Sequence, residues 1–126
     1  MRVYKIKGFA RFQRSERILD SALVETILAA ERGLVNADLG GGLIKQRVAR
    51  PGQGKSGGFR TLIAYRRGER AVFLFGFAKN ERANIDDDEL EEWRHIGRLY
   101  LALDERRIEA AITAQELMEV RYGEKD

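Results

Sequence analysis

Cysteine is absent from this 126-residue chain, and proline, histidine and tryptophan each occur once. Without cysteine there is no disulfide framework and no thiolate for nucleophilic or metal chemistry, a composition suited to a reducing cytosol. The single histidine, His95, has no second histidine or cysteine with which to build a zinc site. It lies among Glu91, Glu92 and Arg98 on an expected acidic helix, so a structural or surface role is expected for it. Long apolar runs are missing too. The opening MRVYKIKGFARF contains neither a signal-peptide core nor a membrane span, and a soluble cytoplasmic protein is expected. The length suits one domain, residues 1–126, without internal repeats, and an apolar content of 44% suffices for one core.

Acidic residues are scarce in one stretch alone. Residues 40–82 hold ten Lys and Arg against two acids, Glu69 and Glu81, for a net +8. Residues 83–126 hold six bases against thirteen acids, a net −7, and residues 1–39 hold seven against five. The overall charge of +3 therefore hides a segregation that speaks of a polyanionic partner. Charges serving solubility alone would mix their signs.

The basic stretch reads as a three-stranded antiparallel meander. Apolar-rich runs at Leu43–Val48, Phe59–Tyr65 and Ala71–Ala78 are separated by the polar loop ARPGQGKSGG, residues 49–58, and by an Arg-Gly-Glu-Arg turn. Pro51 opens the loop and Lys55 stands near its tip. Period-two alternation puts Lys45 and Arg47 on one side of the first strand and Ile44, Gln46 and Val48 on the other. It groups Arg60 with Leu62, Ala64 and Arg66 on the second strand. On the third it groups Phe73, Phe75 and Phe77 beneath helices, leaving Val72, Leu74, Gly76 and Ala78 as a shallow face that forms a groove.

Around the meander, Arg2–Lys7 alternates as a strand and Phe9–Arg14 suggests a short helix. Asp20 is placed as the N-cap of a helix with Leu23, Ile27 and Ala30 on one stripe, stopped by Gly33. Ala37–Gly42 reads as a Gly-rich connection. Acids at 86–88 open a helix from about Asp87 to Ala102, Asp104 caps a shorter one, and Leu117–Val120 forms a terminal strand. The expected class is α+β: a small antiparallel sheet of the meander plus the N-terminal strand, two N-terminal helices packed on it, and C-terminal helices.

Two motif matches fail on their chemistry. Gly54-Lys55-Ser56 resembles the end of a P-loop, but the first glycine would fall on Ala49, and a strand follows where a helix is required. Asp86-Asp87-Asp88-Glu89 are consecutive helix-start residues that point in different directions and cannot converge on one ion. No cofactor and no metal are expected.

The phrases LIKQRVAR, KSGGFRTLIAY and FGFAKNERANI carry a resemblance over about residues 1–103 to the RelE/ParE superfamily of type II toxin–antitoxin toxins, within it the RelE/HigB-like branch. The resemblance implies an antiparallel sheet under two N-terminal helices. It also implies a metal-free endoribonuclease that cuts mRNA, usually in the ribosomal A site, and a cognate antitoxin, expected to be a helix-turn-helix protein from an adjacent gene. Lys45 and Arg47 match the family's basic strand positions, and Arg60 matches the arginine after Gly-aromatic. Lys79, Asn80 and Arg82 match the strand-end cluster, with Asn80 where arginine is common. The helix-start position often held by tyrosine falls on Ile85, and no histidine near the C-terminus matches the HigB pattern.

On this reading Lys45, Arg47, Arg60, Lys79 and Arg82 are the candidate catalytic residues. Arg50, Lys55, Arg66 and Asn80 are the candidate RNA-binding residues. RNA brings its own nucleophile, the 2′-OH, so the protein must take one proton, give one and stabilise the charge on phosphorus. Arginines suit the last task. A neighbouring cation favours the neutral form of an amine, which makes Lys45, beside Arg47, the preferred base over Lys79. The ParE branch offers a different class of function, inhibition of DNA gyrase without nuclease activity; its members generally lack the basic set. A bare RNA-binding module would need an exposed aromatic surface, whereas the third-strand aromatics are expected to be buried.

Overall fold

A computed structural model describes residues 1–50, 54–79 and 85–121, and for 54–57 the backbone alone. The strands are β1 (Arg2–Ile6), β2 (Ala37–Gly40), β3 (Leu43–Arg50), β4 (Gly54–Arg66), β5 (Arg70–Ala78) and β6 (Leu117–Val120). The helices are α1 (Lys7–Ser15), α2 (Asp20–Glu31), α3 (Asp87–Ala102) and α4 (Glu105–Thr113). The strands form one six-stranded sheet in the order β2-β3-β4-β5-β1-β6. β1 runs parallel to β5; every other pairing is antiparallel.

The meander β3-β4-β5, the added N-terminal strand and the terminal strand at Leu117–Val120 are as expected, and β2 extends the sheet further. Ala37–Gly42 is not a bare connection: Ala37 and Asp38 pair with Lys45 and Ile44. The loop expected over 49–58 is also shorter, because β3 runs to Arg50 and β4 begins at Gly54. Lys55 therefore lies within a strand rather than at a loop tip, its side chain outside the described residues.

Helices cover both faces of the sheet. On one side α1 and α2 bury Phe9, Leu23, Ile27 and Ala30 against Ile44, Val48, Phe59, Ile63 and Phe73. On the other, α3 and α4 bury Leu101 and Ile108 against Tyr4, Leu43, Leu62, Ala64, Val72, Leu74 and Phe77. Both clusters draw on alternate residues of the same strands, as a sheet buried on two faces requires.

The aromatics of β5 depart from simple alternation. The β4–β5 register shifts between Leu62, paired with Phe75, and Ile63, paired with Phe73. One extra residue, Leu74, is inserted as a bulge, and the faces exchange across it. Phe73 points to α1, 5.0 Å from the Phe9 ring centroid, whereas Phe75 and Phe77 point to the α3 side. The expected shallow face is not an open groove, because α3 packs over Val72 and Leu74. Gly76 lies beneath Phe12, and a Cβ there would stand 2.4 Å from the Phe12 ring.

The helix ends follow local chemistry. Asp86 accepts a hydrogen bond from the Glu89 amide (2.9 Å), and Asp104 does the same for Arg107 (2.9 Å). Gly33, at φ +87°, ends α2. Asp20 does not cap α2; the cap position falls on Leu19. The Asp20 carboxylate instead accepts hydrogen bonds from Lys5 (3.1 Å) and Gln13 (2.7 Å), tying β1, α1 and α2 together. The partners hold its pKa below the usual range against the opposing effect of burial.

Candidate nucleic-acid interface

The β3–β4 register sets Arg47 directly opposite Arg60 and Lys45 opposite Leu62. Arg60 in turn stands opposite Phe77 of β5. Alternation places Lys45 and Arg47 on the side of Leu43, and Arg60 on the side of Leu62 and Ala64, so all three share the α3 face. Arg47 is exposed and Lys45 half-buried. Arg60 is only 9% exposed, and its Nη1 is buried without a hydrogen-bond partner. Burial lowers its pKa from the ordinary arginine value, and the charge of Arg47 adds to the effect. Two cations opposite one another, one of them desolvated, leave a site that an anion would complete.

The opposite side of β3 fixes this display. Gln46 is buried, accepts from the Asn36 amide (2.7 Å) and donates to the Leu34 carbonyl (3.0 Å) beyond the end of α2. Asn36 Oδ1 accepts from the Arg47 amide (2.8 Å), so a side chain serves where β2 no longer pairs. Thr61 donates to the Gln46 carbonyl (2.9 Å). Lys45 and Arg47 thus flank a residue locked from beneath, which restrains their backbone. Sequence reasoning placed Gln46 on the inner face but assigned it no part in the site; a glutamine among apolar neighbours was the signal.

Past Val48 the β3–β4 register breaks, resuming at Arg50 opposite Gly54. Gly58 sits at the break, and a Cβ on it would lie 2.1 Å from the Val48 carbonyl oxygen. Only glycine permits that approach, one residue before Phe59 and two before Arg60.

The remaining candidates divide. Lys79 is exposed and follows Ala78, the last residue of β5; alternation beyond the bulge puts it on the side of Phe77 and Arg60. Asn80 and Arg82 lie outside the described residues, as does the Lys55 side chain. Arg50 is on the opposite face: its guanidinium lies 4.8 Å from the Phe59 ring centroid and 3.4 Å from Glu16. Arg66 is at the other end of β4, where it donates to the Leu101 carbonyl (3.2 Å) and pairs with Glu69 (3.5 Å). Its neighbour Arg70 donates to the carbonyls of Tyr100 (2.9 Å) and Leu103 (2.7 Å). Both serve the C-terminal end of α3, where cations meet unpaired carbonyls. The structure therefore brings together Lys45, Arg47 and Arg60, with Lys79 at the adjoining strand end, and sets Arg50 and Arg66 elsewhere.

Ile85 is buried in the α3-side core and serves packing. His95 is exposed on α3. Among the described residues no three His, Cys, Asp or Glu side chains cluster as metal ligands would, and no helix is long and apolar enough to cross a membrane.

The two-sided α+β sheet thus displays opposed arginines, Arg47 exposed and Arg60 buried with its Nη1 unpartnered. The chain belongs to the RelE toxin family: the family model described as the RelE toxin of the RelE/RelB toxin–antitoxin system matches residues 1–120. Comparison with curated protein sequences returns no match. Family membership makes the chain a toxin of a toxin–antitoxin pair, and its partner an antitoxin.

Proposed function

We propose that this toxin is a metal-independent endoribonuclease that cleaves mRNA on the ribosome and so arrests translation. The observation that carries the reading is the Arg47–Arg60 pair, with the Arg60 Nη1 buried and unpartnered. A phosphodiester seated there gains charge-assisted hydrogen bonds from groups that lose nothing in protein contacts. The charge that develops on phosphorus during cleavage strengthens those bonds, which is what transition-state stabilisation demands.

The reaction needs only RNA and protein. The 2′-oxygen attacks the adjacent phosphorus, and Lys45, as the base, takes the hydroxyl proton. The P–O5′ bond breaks, leaving a 2′,3′-cyclic phosphate and a 5′-hydroxyl whose proton comes from a second group. Lys79, at the strand end beside this face, is our candidate for that donor. Arg47 and Arg60 hold the non-bridging oxygens, and Arg82 is proposed to contact the substrate with them. Lys55 and Asn80 are proposed to contact RNA flanking the scissile phosphate.

The test is expression of the toxin without its antitoxin. Growth arrest with loss of intact mRNA is expected, and in vitro cleavage should persist in a chelator. Growth arrest with intact mRNA and damaged DNA would point instead to gyrase inhibition, and unimpaired growth at high soluble expression would count against both readings.

A further inference from the structure

β1 stops at Ile6, one residue past the pairing of Lys5 with Phe73, and the chain turns at once into α1. A cleft of about 460 Å³ opens there. One wall is α1, where Gly8, Arg11 and Ser15 fall on one helical face. The facing wall is aromatic: Phe75 and Trp93 stack with ring centroids 5.1 Å apart and 24° between planes. Both rings are half-buried, and the Trp93 indole is held by a hydrogen bond from Nε1 to Glu89 (3.4 Å). A Cβ on Gly8 would meet nothing within 4 Å, so the cleft is open on the helix side.

The helix that walls the cleft is basic. Lys7, Arg11 and Arg14, at i, i+4 and i+7, are all exposed and make one cationic stripe. Arg50 and Arg2, by contrast, are spent on Glu16 and on Glu105 and Glu119.

We propose that this cleft is a subsite for one unpaired nucleotide of RNA, outside the Arg47–Arg60 site, with the base against Trp93 and Phe75 and the flanking phosphates on Arg11, Lys7 and Arg14. The proposal rests on the reading of the protein as RNA-binding. Apolar ligands in general would suit the aromatic wall, but the cationic stripe beside it selects an anionic chain carrying flat rings. Every base has a stacking face, and stacking on an aromatic is worth about 1–3 kcal/mol per base. A duplex keeps its bases inside the helix and cannot enter. The role is positioning: the subsite would hold the strand while cleavage occurs at the arginine pair.

Trp93 is the only tryptophan, so its fluorescence reports this cleft alone. The experiment titrates Arg60→Ala protein, which should leave RNA uncut, with an adenosine RNA hexamer, an abasic hexamer of the same charge and an RNA duplex. Circular dichroism serves as the folding control. Only the adenosine hexamer should quench Trp93. Gly8→Leu, whose Cβ meets nothing within 4 Å, and Arg11→Glu, on an exposed position, should each weaken that binding at least tenfold. Absence of quenching by the adenosine hexamer, equal quenching by the abasic hexamer, or affinity unchanged in both variants would overturn the subsite. Quenching by a protein whose Arg60-containing parent cleaves no RNA would leave the subsite standing and remove the nuclease reading.

Discussion

Arg47 and Arg60 face each other across adjacent antiparallel strands on the same side of the sheet, and only Arg47 reaches open solvent. Directly opposed like charges weaken a sheet. A buried guanidinium nitrogen without a partner weakens it further. Folding alone does not account for this arrangement; the proposed anion site does.

Replacing Arg60 with an apolar residue of similar length should therefore stabilise the free protein while removing function. Arg60→Met is expected to gain about 1 kcal/mol, or about 4 °C in Tm for a domain of this size. Thermal denaturation in a dilute non-coordinating buffer measures it, and a Tm lowered by Arg60→Met would show the guanidinium to be structurally satisfied.

An anion should act on the same pair. Ligands that bind only the native state raise Tm by mass action. Pyrophosphate should raise the Tm of the wild-type protein more than that of Arg60→Met at matched ionic strength. Equal shifts would mean general screening rather than a site.

Gly58 tests the backbone beneath the pair. Its missing Cβ would lie 2.1 Å from the Val48 carbonyl, so Gly58→Ala must displace one strand from the other. A loss of about 1–3 kcal/mol is expected, as for overpacking elsewhere. Chemical denaturation reads it, with loss of activity at temperatures where the protein is still folded. A neutral Gly58→Ala would show the register break to be adaptable.

A further contact ties stability to pH. The Tyr65 hydroxyl donates to Glu31 Oε2, which also accepts from the Gly68 amide (3.1 Å), joining the end of α2 to the β4–β5 turn. The hydrogen bond from Tyr65 is the main cause holding the Glu31 pKa below its ordinary value, against partial desolvation. A carboxylate depressed in the folded state contributes stability above its unfolded pKa and loses it as pH falls through the folded one. Wild type should thus exceed Tyr65→Phe by at most about 1 kcal/mol at pH 7, since solvent screens the contact. The gap should narrow as pH falls below the ordinary glutamate pKa of about 4.3. A gap constant with pH would assign the effect to packing.

Much of this was legible in the chain, for physical reasons. Charge segregation located the basic sheet, and period-two alternation correctly paired Lys45 with Arg47 and Arg60 with Leu62. The same alternation separates Arg50 from Arg47, since they are three residues apart, yet Arg50 was grouped with the RNA-binding set on charge alone. Arg66 shares a strand face with Arg60, but six residues of extended chain carry it to the far end of β4, where the carbonyls of α3 claim it. The faces of β5 were misread because a one-residue bulge at Leu74 leaves no periodic signature. β2 was missed because Ala37–Gly40 is only four residues long, too short to show alternation, and runs straight into Gly41 and Gly42. The Trp93 cleft depends on where β1 ends and α3 crosses, which are tertiary facts.

Single-turnover cleavage of mRNA on programmed ribosomes by wild type, Arg60→Ala, Lys45→Ala and Lys45→Arg tests the nuclease account most directly. Loss of the transition-state cation at Arg60 should slow cleavage by about 10² to 10³, by analogy with an oxyanion donor. Loss of the base at Lys45 should cost about 10² to 10⁴. Lys45→Arg should fail to rescue, because arginine keeps its charge and does not surrender its proton. Cleavage by Lys45→Arg at the wild-type rate would make Lys45 a phosphate anchor and move the base to Lys79. Full activity in folded Arg60→Ala would contradict the site itself.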